Sequence, residues 1–386
     1  MTSPGRPLRV LTFIHSYSTG GVERIALRLC SVWTHDPALD IRLIVGRDSG
    51  PLRNEAPQGL TRHIATAGPI DTASFESAWM IAALRRQILQ QQPDVVFCPG
   101  NAYSIVAVAM KKLLGRRCPP IVLKISNDLE RPDMHPLVRR LYWRWLRIQG
   151  RTLDAFTALA PPMADEITSR LGVAPARVTV IEDPALSETD IKALEAIGHR
   201  RQPAAKGRRY LAIGRLEPQK NLPLLLKAFA RAATPDDRLT ILGEGSERPR
   251  LEAMIAELGL QAKVALPGHG QVPPALATHD VFVLSSAYEG VPAVVIEALA
   301  AGLPVVATRC SVSMPSLIGP FGTLVANFDE AALAAAIKAQ PLLSAAARTR
   351  AAEAMRAFTL ERAASRYTAL FAAMVANSPE IAILPD

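Results

Sequence analysis

Residues 281–308, VFVLSSAYEGVPAVVIEALAAGLPVVAT, constrain what this chain can fold into more than any other stretch. An apolar strand, Val281 to Leu284, runs into a small polar loop that holds Glu289 and Gly290. Pro292 then opens a helix carrying Glu297, Gly302 closes it, and a second apolar strand, Val305 to Thr308, follows Pro304. Proline at a helix start and glycine just past its end are the punctuation of a β-loop-α-loop-β unit. Seven residues separate the two acids, one on the loop and one about two turns into the helix, so both can face the crevice above the strand end. Open α/β sheets bind ligands in such crevices. The helix N-terminus between the acids attracts anions, so a phosphate flanked by hydroxyls is the natural ligand.

A length of 386 residues exceeds what one hydrophobic core ordinarily serves and points to two domains. Cys30, Cys98, Cys118 and Cys310 stand singly, without the spacing of a disulfide framework or a zinc site, which fits a reducing cytoplasm. The apolar run Val10 to Ile14 is too short for a signal-peptide core, and no window has the length of a membrane span. The expectation is a cytoplasmic protein, either free or peripheral on the inner face of the cytoplasmic membrane.

Charge is concentrated in one region. Between Asn101 and Arg151 eleven Lys or Arg residues face three acids, which accounts for +8 of the chain's +9. Within it, LVRRLYWRWLRIQGR (137–151) reads as an amphipathic helix. Leu137, Leu141, Trp145 and Ile148 share one face, and Arg140, Arg144, Arg147 and Arg151 share another. With Tyr142, Trp143 and Trp145 beside the arginines, this surface suits an anionic membrane or an acidic acceptor. The blander alternative is a packed surface helix whose arginine stems run along apolar neighbours. No nucleic-acid-binding motif accompanies the basic stretch, so nucleic acid is not expected as a partner.

Strand and helix patterns alternate along the chain in two series, implying parallel sheets covered on both faces. The first series has strands at Leu8 to Ile14, Ile41 to Val45, Val95 to Cys98, Ile121 to Ile125, Ala155 to Ala160 and Val178 to Ile181. The pattern breaks after Asp183-Pro184, and the basic stretch GHRRQPAAKGRR (198–209) reads as the domain boundary. The second series has strands at Tyr210 to Ile213, Leu239 to Leu242 and Val264 to Leu266, then the unit at 281–308. The alanine-rich end, 331–376, reads as two or three helices.

Glycines and charges gather where these strands end. Gly20-Gly21 follows the first strand without GxGxxG spacing, which argues against a nicotinamide site but allows backbone amides to approach a phosphate or sugar. In AIGRLEPQKNLPLLLKAF (212–229), Gly214 and Arg215 sit at a strand end and Lys220 precedes a helix. A forked guanidinium and a mobile ammonium together can neutralise a diphosphate. Gly243 lies in another post-strand loop, GEG, read as shaping a nucleoside pocket.

These segments, GGVE, GRLEPQKNLPLLLKAF, LTILGEGSERPRLE and YEGVPAVVIEALAAGLPVVAT, resemble family 4 retaining glycosyltransferases of the GT-B fold, in order and spacing over most of the chain. The resemblance implies an α/β architecture of two facing Rossmann-like domains with a central cleft. It assigns 1–185 to an acceptor-binding domain and 206–360 to a nucleotide-sugar-binding domain, with a final helix at about 361–386 returning to the first. It implies that Glu289, with Gly290 and Val291, meets the donor sugar and that Glu297 meets the ribose. Arg215 and Lys220 then bind the diphosphate and stabilise the leaving group beside Gly214 and Gly243, while Gly20 and Gly21 close over the donor phosphate. With Glu289 these two cations are the expected catalytic residues. No metal and no other cofactor is expected.

Two departures from the family pattern stand out. Many relatives have a histidine after the strand that ends at Ile125, where this chain has Ser126, Asn127 and Asp128, and Asn127 is the expected sugar contact. After Thr308 relatives often continue with paired glycines and Pro-Glu, whereas this chain reads RCSVSMPSLIG. The expected function is transfer of a hexosyl group from a UDP- or GDP-sugar to a lipid-linked or other anionic saccharide, such as a polyprenyl-diphosphate-linked one, in envelope polysaccharide synthesis. The alternatives are a GT-B sugar-nucleotide epimerase and a non-catalytic, membrane-docked binding module.

Overall fold

The computed structural model describes residues 6–18, 20–65, 75–130 and 134–376. They form two compact units that divide at Pro184/Ala185 and again at Thr359/Leu360, each built on one parallel sheet.

The first unit runs β1 (Leu8–Ser16), α1 (Gly21–Trp33), β2 (Leu39–Arg47), β3 (Thr61–Ile64), α2 (Glu76–Gln91) and β4 (Val95–Cys98). It continues with α3 (Ser104–Leu114), β5 (Ile121–Lys124), α4 (Pro136–Thr152), β6 (Ala155–Ala158), α5 (Pro161–Leu171) and β7 (Val178–Val180). The strand order is β3-β2-β1-β4-β5-β6-β7, and every pairing is parallel. β4, β5 and β6 are buried along their whole length because helices cover both faces, which explains their unbroken apolar runs. β3 escapes an apolar-run reading because its sequence TRHI is a mostly exposed edge.

The second unit begins with α6 (Glu188–Arg200), followed by β8 (Arg209–Ile213), α7 (Leu222–Ala232), β9 (Arg238–Leu242), α8 (Arg248–Glu257), β10 (Val264–Gly268) and α9 (Val272–Thr278). It continues with β11 (Val281–Leu284), α10 (Ala293–Ala300), β12 (Val305–Thr308), α11 (Met314–Ile318), β13 (Gly322–Val325), α12 (Glu330–Ala339) and α13 (Ala345–Met355). The order is β10-β9-β8-β11-β12-β13, again all parallel. α6 starts on a capping box in which Ser187 Oγ accepts from Asp190 N–H (3.0 Å) and Asp190 accepts from Ser187 N–H (2.8 Å). The stretch 198–209, which its composition suggests is a linker, is folded onto this unit. Arg201 donates to the carbonyls of Gly302 (3.0 Å) and Ala301, closing the C-terminus of α10.

The last helix, α14 (Leu360–Ala376), belongs to the first unit. Trp33 of α1 packs edge-on against Phe97, Tyr367 and Phe371 at 5.5, 5.8 and 5.6 Å between ring centres, and its indole N–H donates to Ala364 O at 3.2 Å. One buried ion pair lies at the strand ends: Lys124 Nζ donates to Asp183 Oδ1 at 2.8 Å, with both side chains shielded from water.

Candidate active site

In each sheet the order of connection reverses once, between β1 and β4 in the first unit and between β8 and β11 in the second. Flanking loops leave in opposite directions at such a point and open a crevice at the carboxyl ends of the strands. Most of the residues singled out by sequence fall at these two places.

In the second unit the crevice is lined by Ile213, Gly214 and Lys220 on the β8 side and by Leu284, Ser285 and Ser286 on the β11 side. Lys220 ends a short 3-10 turn, Pro218–Lys220, and its Nζ donates to Glu289 Oε1 at 2.7 Å. Ser286 Oγ donates to the same oxygen at 2.8 Å, leaving Oε2 without a hydrogen bond among the described residues. Neither carboxylate nor ammonium is far from water, at 12% and 17% side-chain exposure, so the pair is shielded yet reachable. Two further bonds fix the Lys220 turn against β11: Ser285 Oγ donates to Lys220 O (2.9 Å) and Ala287 N–H to Gln219 O (2.8 Å). Arg215 is exposed at the rim and forms no ion pair among the described residues.

Gly243 directly follows β9 and packs against the end of β8. A Cβ there would lie 1.9 Å from the Gly214 carbonyl oxygen, and φ is +144°, so glycine allows the ends of β8 and β9 to close up under Gly214. α10 begins at Ala293 with Pro292 as its cap, and Glu297 sits on it half-buried, one strand away from the Lys220 turn. Gly290 and Val291, both buried, form the approach to that cap.

The altered loop after Thr308 holds this approach in place. Ser311 Oγ and Ser313 Oγ both donate to Gly290 O, at 2.6 and 2.7 Å, and Glu289 N–H donates to Cys310 O at 2.8 Å. Ser285, Ser286, Ser311 and Ser313 thus shape the site although the sequence reading passes over them. The serine pair directly after an apolar strand was the available signal. Burial pushes the Cys310 thiol up to about 12, with nearby Glu289 adding to the effect, so it stays protonated and supplies no nucleophile.

In the first unit, Gly20 caps α1, which starts at Gly21 and carries Glu23 in its first turn. Tyr103 Oη, from the turn after β4, donates to Glu23 Oε1. The Tyr103 ring lies against the His15 imidazole, with centres 4.7 Å apart and planes tilted by 31°. Asn127, the expected sugar contact, is exposed, and its neighbour Ser126 has the buried side-chain oxygen.

α4 presents an unusual surface. Leu137, Val138, Leu141 and Ile148 are 65%, 53%, 68% and 43% exposed, and only Leu146, Gln149 and Gly150 are buried. Leu137, Leu141 and Ile148 of the apolar stripe are therefore exposed. Trp145 is half-buried. Beside the stripe, Arg140, Arg144, Arg147 and Arg170 surround Trp143, with the Arg139 and Arg170 guanidinium carbons 5.4 and 4.8 Å from its ring centre. Among the described residues no helix is long and apolar enough to cross a membrane.

Comparison with known proteins supplies the family. A model described as Glycosyltransferase Family 4 matches residues 19–184, and one described as Glycosyl transferases group 1 matches 207–340. The N-acetylgalactosamine-N,N'-diacetylbacillosaminyl-diphospho-undecaprenol 4-alpha-N-acetylgalactosaminyltransferase of Campylobacter jejuni is 32% identical over 81% of this chain and 84% of its own. The UDP-Gal:alpha-D-GlcNAc-diphosphoundecaprenol alpha-1,3-galactosyltransferase of Escherichia coli is 24% identical over 75% of this chain and 76% of its own. In fold, the apo lipopolysaccharide outer core galactosyltransferase WaaB superposes with a TM-score of 0.73 at 18% identity, over 94% of this chain and 99% of that one. These matches give no support to an epimerase or a non-catalytic module. Two parallel Rossmann-like units, acids and cations gathered at the strand ends, two family models and a relative 32% identical over 81% of this chain make it a member of the family 4 glycosyltransferases, with the GT-B fold.

Proposed function

We propose that this glycosyltransferase is a retaining, metal-independent hexosyltransferase that uses a UDP- or GDP-sugar and glycosylates a polyprenyl-diphosphate-linked saccharide for envelope polysaccharide. The observation that carries the reading is the Lys220–Glu289 pair at the switch point of the second sheet. As the glycosidic bond to the donor breaks, negative charge grows on the β-phosphate oxygen. Lys220 has three N–H donors and spends one on Glu289, so the others are available to that oxygen while the carboxylate holds the ammonium in position. Arg215 at the rim adds a forked donor, and the first-turn amides of α10 offer a partial positive charge. Glu289 Oε2 and Gly290 then meet donor hydroxyls, and Glu297 the ribose.

The acceptor class rests on two observations. Two of the relatives are named for diphospho-undecaprenol-linked acceptors. This chain also exposes an apolar stripe beside arginines on α4, a surface that suits an anionic bilayer holding such a lipid. In this reading Lys220 and Arg215 supply the charge stabilisation that a metal gives elsewhere.

The test is a matrix of UDP- and GDP-sugars against a synthetic undecaprenyl-diphosphate-linked saccharide, with and without EDTA. Acceptor-dependent release of nucleoside diphosphate that survives EDTA, and an axial product linkage from an axial donor, are expected. Inversion of configuration, or activity abolished by EDTA and restored by a divalent metal, would overturn the corresponding part.

A further inference from the structure

The second sheet has a cavity at its amino ends, at the opposite end of the strands from Lys220 and Glu289. Asp280 directly precedes β11 and Pro304 directly precedes β12, and together with Arg201, Gly302 and Arg348 they line a space of about 50 Å³. One water occupies roughly 10–15 Å³ of such space, so several waters or one tetrahedral oxyanion fit.

Two glycines let three helices converge on this cavity. A Cβ on Gly198 of α6 would lie 2.7 Å from Ala301 O, at the C-terminus of α10. One on Gly302, whose φ is +69°, would lie 2.8 Å from Arg348 Cγ, so the stem of Arg348, from α13, rests on the residue that closes α10. Arg201, one residue past α6, donates to the carbonyl of the same Gly302 and to that of Ala301. Two guanidinium side chains are thus anchored on one glycine.

The charge gathered there is unbalanced. Asp280 is the acid of the lining, and its oxygens are already taken. Arg209 Nη2 donates to Oδ1 at 2.9 Å and Arg209 Nε to Oδ2 at 3.1 Å, with the backbone N–H groups of Arg209 and Ala204 at 2.8 and 3.3 Å. Glu195, which lines the adjoining space with Arg348, is held by Arg356 at 3.1 Å. Arg201 and Arg348 therefore lack an acidic partner. The Arg348 side chain makes no hydrogen bond or ion pair among the described residues, and Nε of both arginines is buried without an acceptor. Burial, with the Arg348 charge adding to it, pushes the Arg201 pKa down to about 10, so both remain cationic at pH 7. Half-buried like charges repel, and an anion shared between them offsets that cost. Forked guanidinium donors match the paired oxygens of a tetrahedral oxyanion.

We propose that Arg201 and Arg348 form a site for a tetrahedral oxyanion of the phosphate or sulfate type, which ties α6, α10 and α13 together at the end of the second unit remote from the reaction. The site is independent of the donor and acceptor assignments above.

Hydrogen exchange of the full chain, followed by peptide mass at constant ionic strength, tests it with sodium phosphate, sodium sulfate, glycerol 3-phosphate and sodium chloride. Phosphate and sulfate, but not chloride, should slow exchange in the peptides spanning Arg201, Gly302 and Arg348, by about tenfold at ten times the dissociation constant. The slowing should persist in Lys220→Ala, which separates it from ions held in the donor crevice. It should vanish in Arg348→Gln, which keeps the Cβ and Cγ that rest on Gly302. Without oxyanion, the unfolding midpoint of Arg348→Gln should equal or exceed that of wild type, because repulsion of Arg201 is relieved, and phosphate should reverse that order. Equal slowing by chloride, equal slowing in Arg348→Gln, or an Arg348→Gln chain destabilised equally with and without phosphate would overturn the site. Slowing by glycerol 3-phosphate as strong as by phosphate assigns the oxyanion to a phosphate ester, and slowing by phosphate alone assigns it to the free ion.

Discussion

Lys220 and Glu289 are 69 residues apart in the chain, yet Nζ and Oε1 meet at 2.7 Å across the reversal between β8 and β11. Each lies on a loop leaving one of two adjacent parallel strands, so the pair joins the two walls of the crevice. Replacing Lys220 with Ala removes the mobile cation and leaves Glu289 with Ser286 as its donor. Turnover is expected to fall by about a hundredfold, the usual loss for a charge-stabilising donor, with the fold intact by circular dichroism. Turnover within threefold of wild type would remove Lys220 from the leaving-group role.

Gly290 is held by the two serines of the loop that departs from the family pattern. The double variant Ser311→Ala, Ser313→Ala deprives a buried carbonyl of both hydroxyl donors. Donor KM should rise by about tenfold with a smaller change in kcat, since the loop positions the donor side of the crevice. Initial rates over a range of donor concentration at saturating acceptor decide the point.

The Lys124–Asp183 pair lies inside the first unit. Asp183→Ala leaves a shielded ammonium unpaired, and a loss of about 3–5 kcal/mol is expected in the unfolding of that unit. Lys124→Met combined with Asp183→Leu should recover most of it, because no charge remains to be buried. Urea titrations followed by a probe in the first unit measure both, and equal losses in the single and double variants would contradict the account.

His279 shows how pH acts on the second unit. Burial lowers its pKa below the free value of about 6.5, with Arg209 adding to the shift and Asp280 opposing it. Its ring bonds Ala275 O (2.7 Å) and Thr240 Oγ1 (2.9 Å). Because the unfolded chain takes up the proton first, stability is full above the unfolded pKa and declines as pH falls through the lowered folded value. The urea midpoint should drop between pH 7.5 and 5.5, and His279→Gln should drop less; parallel declines would mean that other groups dominate.

α4 offers an electrostatic and an apolar test. Wild-type protein should sediment with vesicles containing phosphatidylglycerol but not with neutral ones, and release as salt rises. Changing Arg140, Arg144 and Arg147 to Gln should weaken binding, and Leu137→Ser with Leu141→Ser should do so at every salt concentration. Binding unaffected by both sets would exclude this face.

Most strands were legible because β-loop-α punctuation is local and fully buried parallel strands leave unbroken apolar runs. Val95–Cys98, Val281–Leu284 and Val305–Thr308 have the bounds their sequence predicts. β3 and β13 were not legible, since TRHI and GTLV are short and only partly buried. α4 illustrates a different limit. Its two faces follow from helical spacing, but the same spacing serves a stripe turned inward or outward, and only packing shows that Leu137 and Leu141 are exposed.

By itself, the sequence determined two alternating α/β series, the loop positions of Arg215, Lys220 and Glu289, the helix position of Glu297, and the family. These depend on periodicity, caps and spacing, which act over a few turns of chain. Tertiary structure decided which of these groups touch. Lys220 meets Glu289, Ser311 and Ser313 hold Gly290, α14 packs on Trp33, and Tyr103 covers His15 while Ser126 rather than Asn127 turns inward. The physical reason is that strand order sets these contacts. Right-handed crossovers bring together strand ends that lie tens or hundreds of residues apart, and no local pattern records which ends become neighbours.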